Sequence, residues 1–338
     1  MLSKKDTVLK TLLDELNSGK LQPGDFIPSR NQLMRRFHCS RTVIEKAVAR
    51  LTEMGRLAGR QGKGTIVRQT PEHQMQNIRR VNVISPYDAK SFRSPFSCLL
   101  LNPELMPVPV EMIPVGRAEA ECENLCQSDA LTVFINPGYG QLAVMNFLKS
   151  RQIPQLLINR EFDGFDRIYT DTLSGFRQGL EKLNALSDAP LSLIALEPEL
   201  QIPYQTPRLL SFYRALTESR TPFIPENTVF ISQADIENGL KAAEKIFTRL
   251  PAKIAVVNSD LILPVINLAG TCGLVAGKDY YLLAFEYLTA VCNMPGVVMI
   301  RQRYDIFFEE LKRFLALCNT PGRPVFTSAV PPEICCAE

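Results

Sequence analysis

Residues 26–67 read FIPSRNQLMRRFHCSRTVIEKAVARLTEMGRLAGRQGKGTIV, and this stretch constrains the fold more than any other part of the chain. Ser29 stands where a helix N-cap is needed, ahead of an apolar side made of Leu33, Met34 and Phe37. Cys39 follows after a short turn. Ser40 is a second N-cap candidate, and Val43, Ile44, Ala47, Val48 and Leu51 give the next helix its inward face. Gly55 closes that helix. Residues 56–60 and 65–68 are extended runs joined by Gln61-Gly62-Lys63-Gly64, whose glycines permit the positive φ of a tight hairpin. Leu9, Leu12, Leu13 and Leu16 recur at helical spacing and predict an amphipathic helix before the stretch. A helix-turn-helix followed by a wing accounts for the whole pattern.

Such a unit suits double-stranded DNA. The N-terminal end of its second helix enters the major groove, which directs Arg41, Thr42 and Lys46 at bases or phosphates. The amides at the helix starts of Ser29 and Ser40 can each hold a phosphate, with Arg30 beside the first. Gly62, Lys63, Gly64 and Thr65 form the wing tip, where a backbone without side chains can approach a groove wall. A phosphate-binding nucleotide loop is excluded, because Leu57 and Gly64 occupy positions where that motif needs Gly and Ser or Thr. Charge supports the DNA reading. The net charge of +3 divides unevenly: residues 1–80 hold 16 Lys and Arg against 7 Asp and Glu, and the remainder holds 22 against 28. A basic head sits on a mildly acidic body.

At 338 residues the chain has room for two or three compact units. Its N-terminal residues are amphipathic and charged, unlike a signal peptide, and no apolar run reaches the ~20 residues of a membrane span. A cytoplasmic location is expected, with nine reduced cysteines in no disulfide framework. Only two histidines, His38 and His73, accompany them, so neither a metal site nor a cofactor is expected.

Residues 70–80 lack apolar periodicity and read as a linker. Beyond them extended apolar runs alternate with helical stretches. The runs cover 81–85, 111–115, 131–136, 155–159, 191–196, 254–258 and 281–285, and the helices 139–150, 173–187, 207–219, 234–250, 261–272 and 304–318. That alternation predicts an α/β body of parallel sheets covered on both faces, too long for one small doubly wound domain and therefore two-lobed. Six prolines from Pro86 to Pro114 inclusive make the first helix there short or irregular. The body has no histidine, no Gly-x-Ser-x-Gly and no Gly-x-Gly-x-x-Gly, so an enzyme is not expected. Strand ends offer Asn136, Asn159-Arg160, Asn258-Ser259-Asp260 and Glu286, which suit a hydroxyl-rich or amine-bearing ligand.

Residues 1–69 resemble the GntR family of winged helix-turn-helix regulators. The matching residues are Leu21-Gln22-Pro23-Gly24, Ile27-Pro28-Ser29-Arg30, Leu33, Phe37, Cys39 through Val43, Ala47, Leu51, Gly55 and Gly62 through Thr65. The resemblance implies that Arg41 contacts DNA and that the glycine wing enters the minor groove. The chain departs from the family with Glu45 and Asn31, where arginines are common. The body, from residue 81 and more clearly from 129, resembles the sensor domain of LacI/GalR regulators, a periplasmic-binding-protein-like fold. That likeness rests on the segment from Ile153 to Arg160, on Asp171 and Gly175, Arg208 to Phe212, Val257 to Asp260, Ala284 to Tyr287, and Ile300 to Gln302. It places Asn159, Arg208, Ser259, Asp260, Glu286 and Gln302 on the walls of an effector cleft.

Together the resemblances imply an arabinose-repressor type of architecture: a winged helix-turn-helix (1–69), a linker (70–80) and an effector domain (81–338). They imply a homodimeric repressor that binds a palindromic operator and responds to a small sugar-like or polyol effector. A DNA-binding protein with a ligand-silent sensor is the alternative. A solute-binding protein is more remote, opposed by the basic head and the missing signal peptide.

Overall fold

The computed structural model describes the chain apart from residues 1–3, 18–20, 22–23, 54–56, 61–63, 68–77, 86–94, 128, 200–201, 321 and 338. It divides into two compact units, Met1–Gln76 and Asn77–Glu338. Most of the expected linker, with Gly55, Gly62 and Lys63, lies outside the described residues.

The first unit contains α1 (Lys4–Asn17), α2 (Arg30–Phe37) and α3 (Arg41–Glu53), then an antiparallel pair, β1 (Leu57–Arg60) and β2 (Gly64–Val67). Phe26 bridges Ile66 and widens that pair. The buried seam of α1 is set one position earlier than its leucine pattern predicts. Val8 and Leu12 are buried, whereas Leu9, Leu13 and Leu16 are only partly so. The next position on the seam is Glu15, also buried, which accepts both Nη groups of Arg36 from α2. Counting apolar residues alone passes over a buried acid that has a cation of its own. Ser29 caps α2 through a capping box: its Oγ accepts the Gln32 amide at 3.4 Å, and Gln32 Oε1 accepts the Ser29 amide at 2.8 Å. His38 ends that helix in the left-handed region at φ 45°.

The second unit runs β3 (Arg80–Ser85), α4 (Pro95–Leu100), β4 (Val110–Pro114), α5 (Val115–Ala120), β5 (Ala130–Ile135), α6 (Leu142–Ser150), β6 (Gln155–Ile158) and β7 (Arg167–Thr170). It continues with α7 (Thr172–Leu186), β8 (Leu191–Leu196), α8 (Gln205–Ser219), β9 (Phe223–Ile231), α9 (Ile236–Ala243), β10 (Ala252–Val256), α10 (Ile262–Thr271), β11 (Tyr280–Phe285) and β12 (Val297–Arg301). It ends with α11 (Tyr304–Leu317), β13 (Thr327–Val330) and β14 (Glu333–Cys336). Two six-stranded sheets result, ordered β13-β7-β6-β5-β3-β4 and β14-β12-β11-β10-β8-β9. The first is parallel throughout, and the second is parallel except where β14 runs against β12.

Period-2 alternation sends successive strand residues to opposite layers. In the first lobe, Val81, Val83, Leu131 and Val133 pack with Phe307 and Leu311 of α11. Ile84 and Phe134 pack on the other side with Met145 and Leu148 of α6. In the second, Ile254 and Val256 meet Ile262 and Val265 of α10, whereas Ala255 and Leu283 meet Phe176 of α7 and Phe212 of α8. Each sheet is thus covered on both faces, as the alternation predicts. No helix among the described residues is long and apolar enough to cross a membrane.

Connectivity makes a hinge. The chain passes from the first lobe to the second between β7 and α7, returns between β12 and α11, and leaves again between β13 and β14. The three crossings touch one another. The Asp171 amide donates to Val330 O at 2.9 Å, and Thr170 Oγ1 donates to Gln302 Oε1 at 2.7 Å. Gly175 lies so close to this junction that an added Cβ would stand 2.7 Å from Pro332 Cγ and 2.9 Å from Ile300 Cγ2.

Candidate functional site

In the head, Ile44, Ala47, Val48 and Leu51 hold α3 to the core, and Arg41, Thr42, Glu45 and Lys46 are exposed on its other side. Arg41 Nε donates to Glu45 Oε1 at 2.8 Å, and both side chains remain largely open to solvent. Neither α2 nor α3 has an acidic residue in its first turn. The positive ends of both helices are therefore uncompensated, as anion-binding helix ends must be. Ser40 is exposed, and its carbonyl accepts the amides of Val43 and Ile44 at 3.1 and 3.3 Å. Arg30 Nη1 donates to Thr65 Oγ1 at 2.9 Å, which ties the start of α2 to the wing. Thr65 itself is buried, so its hydroxyl is engaged within the head. Gly64 has φ 111°, a conformation that favours glycine. Gly62 and Lys63 lie outside the described residues.

In the body, strand ends carry the polar groups. Asn136 after β5, Asn159 after β6 and Glu286 after β11 all have positive φ (48°, 61° and 136°), turning the chain sharply where each strand stops. Such backbone is costly for residues other than glycine, and it collects at ligand sites. Asn159 Nδ2 donates to Asn136 Oδ1 at 3.0 Å. Arg160 is buried and donates to the carbonyls of Pro137 and Asn159 at 3.0 and 2.7 Å. Its guanidinium also lies 5.1 Å from the ring centre of Tyr204, from the second lobe, and Arg208 approaches the same ring at 4.5 Å.

Arg208 is a buried cation in the first turn of α8. It is 8% exposed, stacks on Phe285 at 4.1 Å and donates one bond, to Val257 O at 3.3 Å. Its Nε is buried and has no hydrogen-bond partner among the described residues. Burial pushes the guanidinium below its ordinary value, opposed by the nearby Tyr204, Glu286, Tyr304 and Asp260. An arginine remains protonated even so. The site therefore keeps a desolvated cation with an unused donor.

Gln302 is also buried. Its Nε2 donates to Glu286 Oε2 at 2.7 Å and to Tyr304 Oη at 3.0 Å, while its Oε1 accepts from Thr170. Ser259 Oγ donates to Asp260 Oδ1 at 3.4 Å in the short 3-10 turn after β10, and Asp260 is exposed. Asn258, buried beside them, accepts the Leu196 amide at 2.9 Å.

Of the six expected cleft residues, Glu286 and Gln302 are joined directly. Asn159 connects to Arg208 through Arg160 and Tyr204, and Ser259 and Asp260 pair with each other. Sequence reasoning passed over Tyr204, whose position before α8 carries no motif, and Thr170, which ends a strand only four residues long. Arg160 was among the polar groups expected at the strand ends, beside Asn159. Among the described residues no cluster of His, Cys, Asp or Glu is arranged to hold a metal ion.

Residues 4–67 match the family model "Bacterial regulatory proteins, gntR family". Over 61 residues the chain is 43% identical to an Escherichia coli (strain K12) protein named "Probable fructoselysine utilization operon transcriptional repressor". That match covers 18% of this chain and 25% of the relative, so the chain spans about a quarter of that relative's length. A regulatory protein of LacI family from Chloroflexus aggregans superposes with a TM-score of 0.61 at 15% identity, covering 75% of this chain and 96% of that one. A transcriptional regulator CelR–cellobiose complex does so with a TM-score of 0.60 at 14% identity, covering 88% and 90%. The chain thus carries a GntR-family domain at its N-terminus and, behind it, a two-lobed body with the fold of the LacI-family regulators.

Proposed function

We propose that the protein is a sequence-specific transcriptional repressor whose operator binding is controlled by a small, sugar-like effector held between the lobes of its body. The observation that carries this reading is the head. A capped α2 and an α3 with Arg41, Thr42 and Lys46 exposed stand in one compact unit, on residues that match a regulatory family. Ser29, Arg30, Ser40, Arg41, Thr42, Lys46 and the wing from Gly62 to Gly64 form the DNA face, with Thr65, expected there from the sequence, buried and bonded to Arg30 instead. Asn159, Arg208, Ser259, Asp260, Glu286 and Gln302 serve the effector, with Arg208 as its clamp. Amides and acids beside one arginine suit a polyol, whose hydroxyls both donate and accept. A regulator of the same fold, CelR, is known in complex with cellobiose, a polyhydroxylated molecule. Regulation rather than catalysis fits a cleft without a histidine, and a cytoplasmic homodimer fits a palindromic operator.

Arg41→Ala tests the DNA face. It should cost about 1–3 kcal/mol of specific affinity in a mobility-shift titration against the protein's own promoter region. Equal binding by both proteins removes α3 from the interface. A thermal-shift screen with sugars, polyols and nucleosides tests the cleft, and a protein that responds to none of them favours the ligand-silent sensor.

A further inference from the structure

The head carries one acidic residue where a DNA-binding helix should avoid one. Glu45 is exposed one turn beyond Arg41, on the side of α3 that also exposes Thr42 and Lys46. Phosphates repel a carboxylate, so Glu45 weakens sequence-independent binding. Stability does not explain it either. An exposed i,i+4 pair contributes little, and Arg before Glu is the weaker order along a helix. Arg41 also sits at the positive end of α3, where a cation is disfavoured. What the pair does have is geometry: the Arg41–Glu45 bond at 2.8 Å places a guanidinium and a carboxylate side by side on the exposed face of α3.

The major groove presents partners for both groups. Guanine offers O6 and N7 to an arginine, and cytosine offers its N4 amino group to a carboxylate. Lys46 cannot replace Glu45 in the second contact, because an ammonium only donates. We infer that Glu45 is a specificity-determining residue, which accepts a hydrogen bond from a cytosine N4 while it holds Arg41 toward guanine. Phosphate repulsion then becomes useful, since it lowers affinity for every sequence and only a matching cytosine offsets it. This inference rests on the proposed DNA-binding function and names the base chemistry of its recognition helix.

The test is selection of full-length protein on a randomised DNA duplex library, comparing wild type, Glu45→Ala and Glu45→Gln. Wild type should enrich a motif with a cytosine at one position near a guanine. Glu45→Ala should lose the cytosine preference by about tenfold and bind unselected duplex more tightly. Glu45→Gln should move that position toward adenine, whose N6 and N7 suit an amide. Matched circular dichroism and melting of the three proteins confirm that the head is folded. Identical motifs from wild type and Glu45→Ala overturn the inference and leave the DNA-binding function standing. Loss of the guanine preference alone, with no cytosine at any position, overturns it as well and reduces Glu45 to a positioning residue for Arg41. A wild type that enriches no sequence refutes the proposed function itself.

Discussion

Arg208 shows how one residue separates a role in folding from a role in binding. Its guanidinium is buried, stacked between Tyr204 and Phe285, and its Nε lacks a partner among the described residues. No carboxylate among them reaches it within ion-pair distance. A buried cation in that condition costs stability, and well-packed apolar substitutes for buried charges are often neutral or stabilising. Methionine keeps the length of the stem and can rest on the same two rings. Arg208→Met is therefore expected to leave the unfolding free energy unchanged or raise it by about 1 kcal/mol, while abolishing the thermal shift given by an effector. Denaturant unfolding with and without ligand decides the matter. A variant that unfolds easily, or one that still responds to effector, removes Arg208 from the clamp role. The sequence offered no physical sign of this residue: a single arginine at a helix start normally lies in solvent, and only resemblance singled it out. Gln302 was singled out on the same basis, yet its amide is divided among Thr170, Glu286 and Tyr304, so it braces the crossings between the lobes.

Among the elements, legibility followed length and burial. Strands buried on both faces, such as β5 and β8, are apolar runs interrupted by one hydroxyl residue each, Thr132 and Ser192, and were readable. β9 was not, because Pro225 and Glu226 break its pattern, and an edge strand tolerates both. β13 and β14 are four residues each, separated by Pro331 and Pro332, and take their form from the sheets they join. The capped start of α2 was legible from Ser29, whereas the turn after it depends on a left-handed His38 that no sequence rule flagged. In α7 the local and tertiary preferences conflict. Alanine is better than glycine in a helix by roughly 1 kcal/mol, so Gly175→Ala should stabilise α7 in isolation. In the protein the new methyl meets a rigid proline ring at 2.7 Å and Ile300 at 2.9 Å. Overpacking of that kind costs about 1–3 kcal/mol, and the strain falls on the crossings between the lobes. Gly175→Ala is expected to be destabilised in urea, and a variant as stable as wild type would show that Pro332 and Ile300 can give way.

At the scale of the molecule, control requires that a change in the cleft reach the head. Under the proposed function the junction would supply the two-state element, since three crossings bonded to one another would let one lobe rotate on the other while each sheet stays intact. An effector would shift that equilibrium only through contacts that differ between the two states, and the proposed function assigns those contacts to the place where Arg208 and Arg160 meet on Tyr204. A single head with a few basic contacts binds weakly, and two heads held in one dimer bind an inverted repeat with an effective local concentration. Full-site DNA should therefore be bound at least about a hundredfold more tightly than one half-site. Since half-sites repeat with the helical turn, inserting about five base pairs between them turns one half-site to the far side of the duplex and should remove the gain, whereas about ten should partly restore it. Mobility-shift titrations on the three duplexes, with sedimentation to count chains per DNA, measure this directly. An affinity indifferent to spacing, or one chain per operator, would mean that the heads act singly, and effector would then have to act on the chemistry of each head rather than on the distance between two.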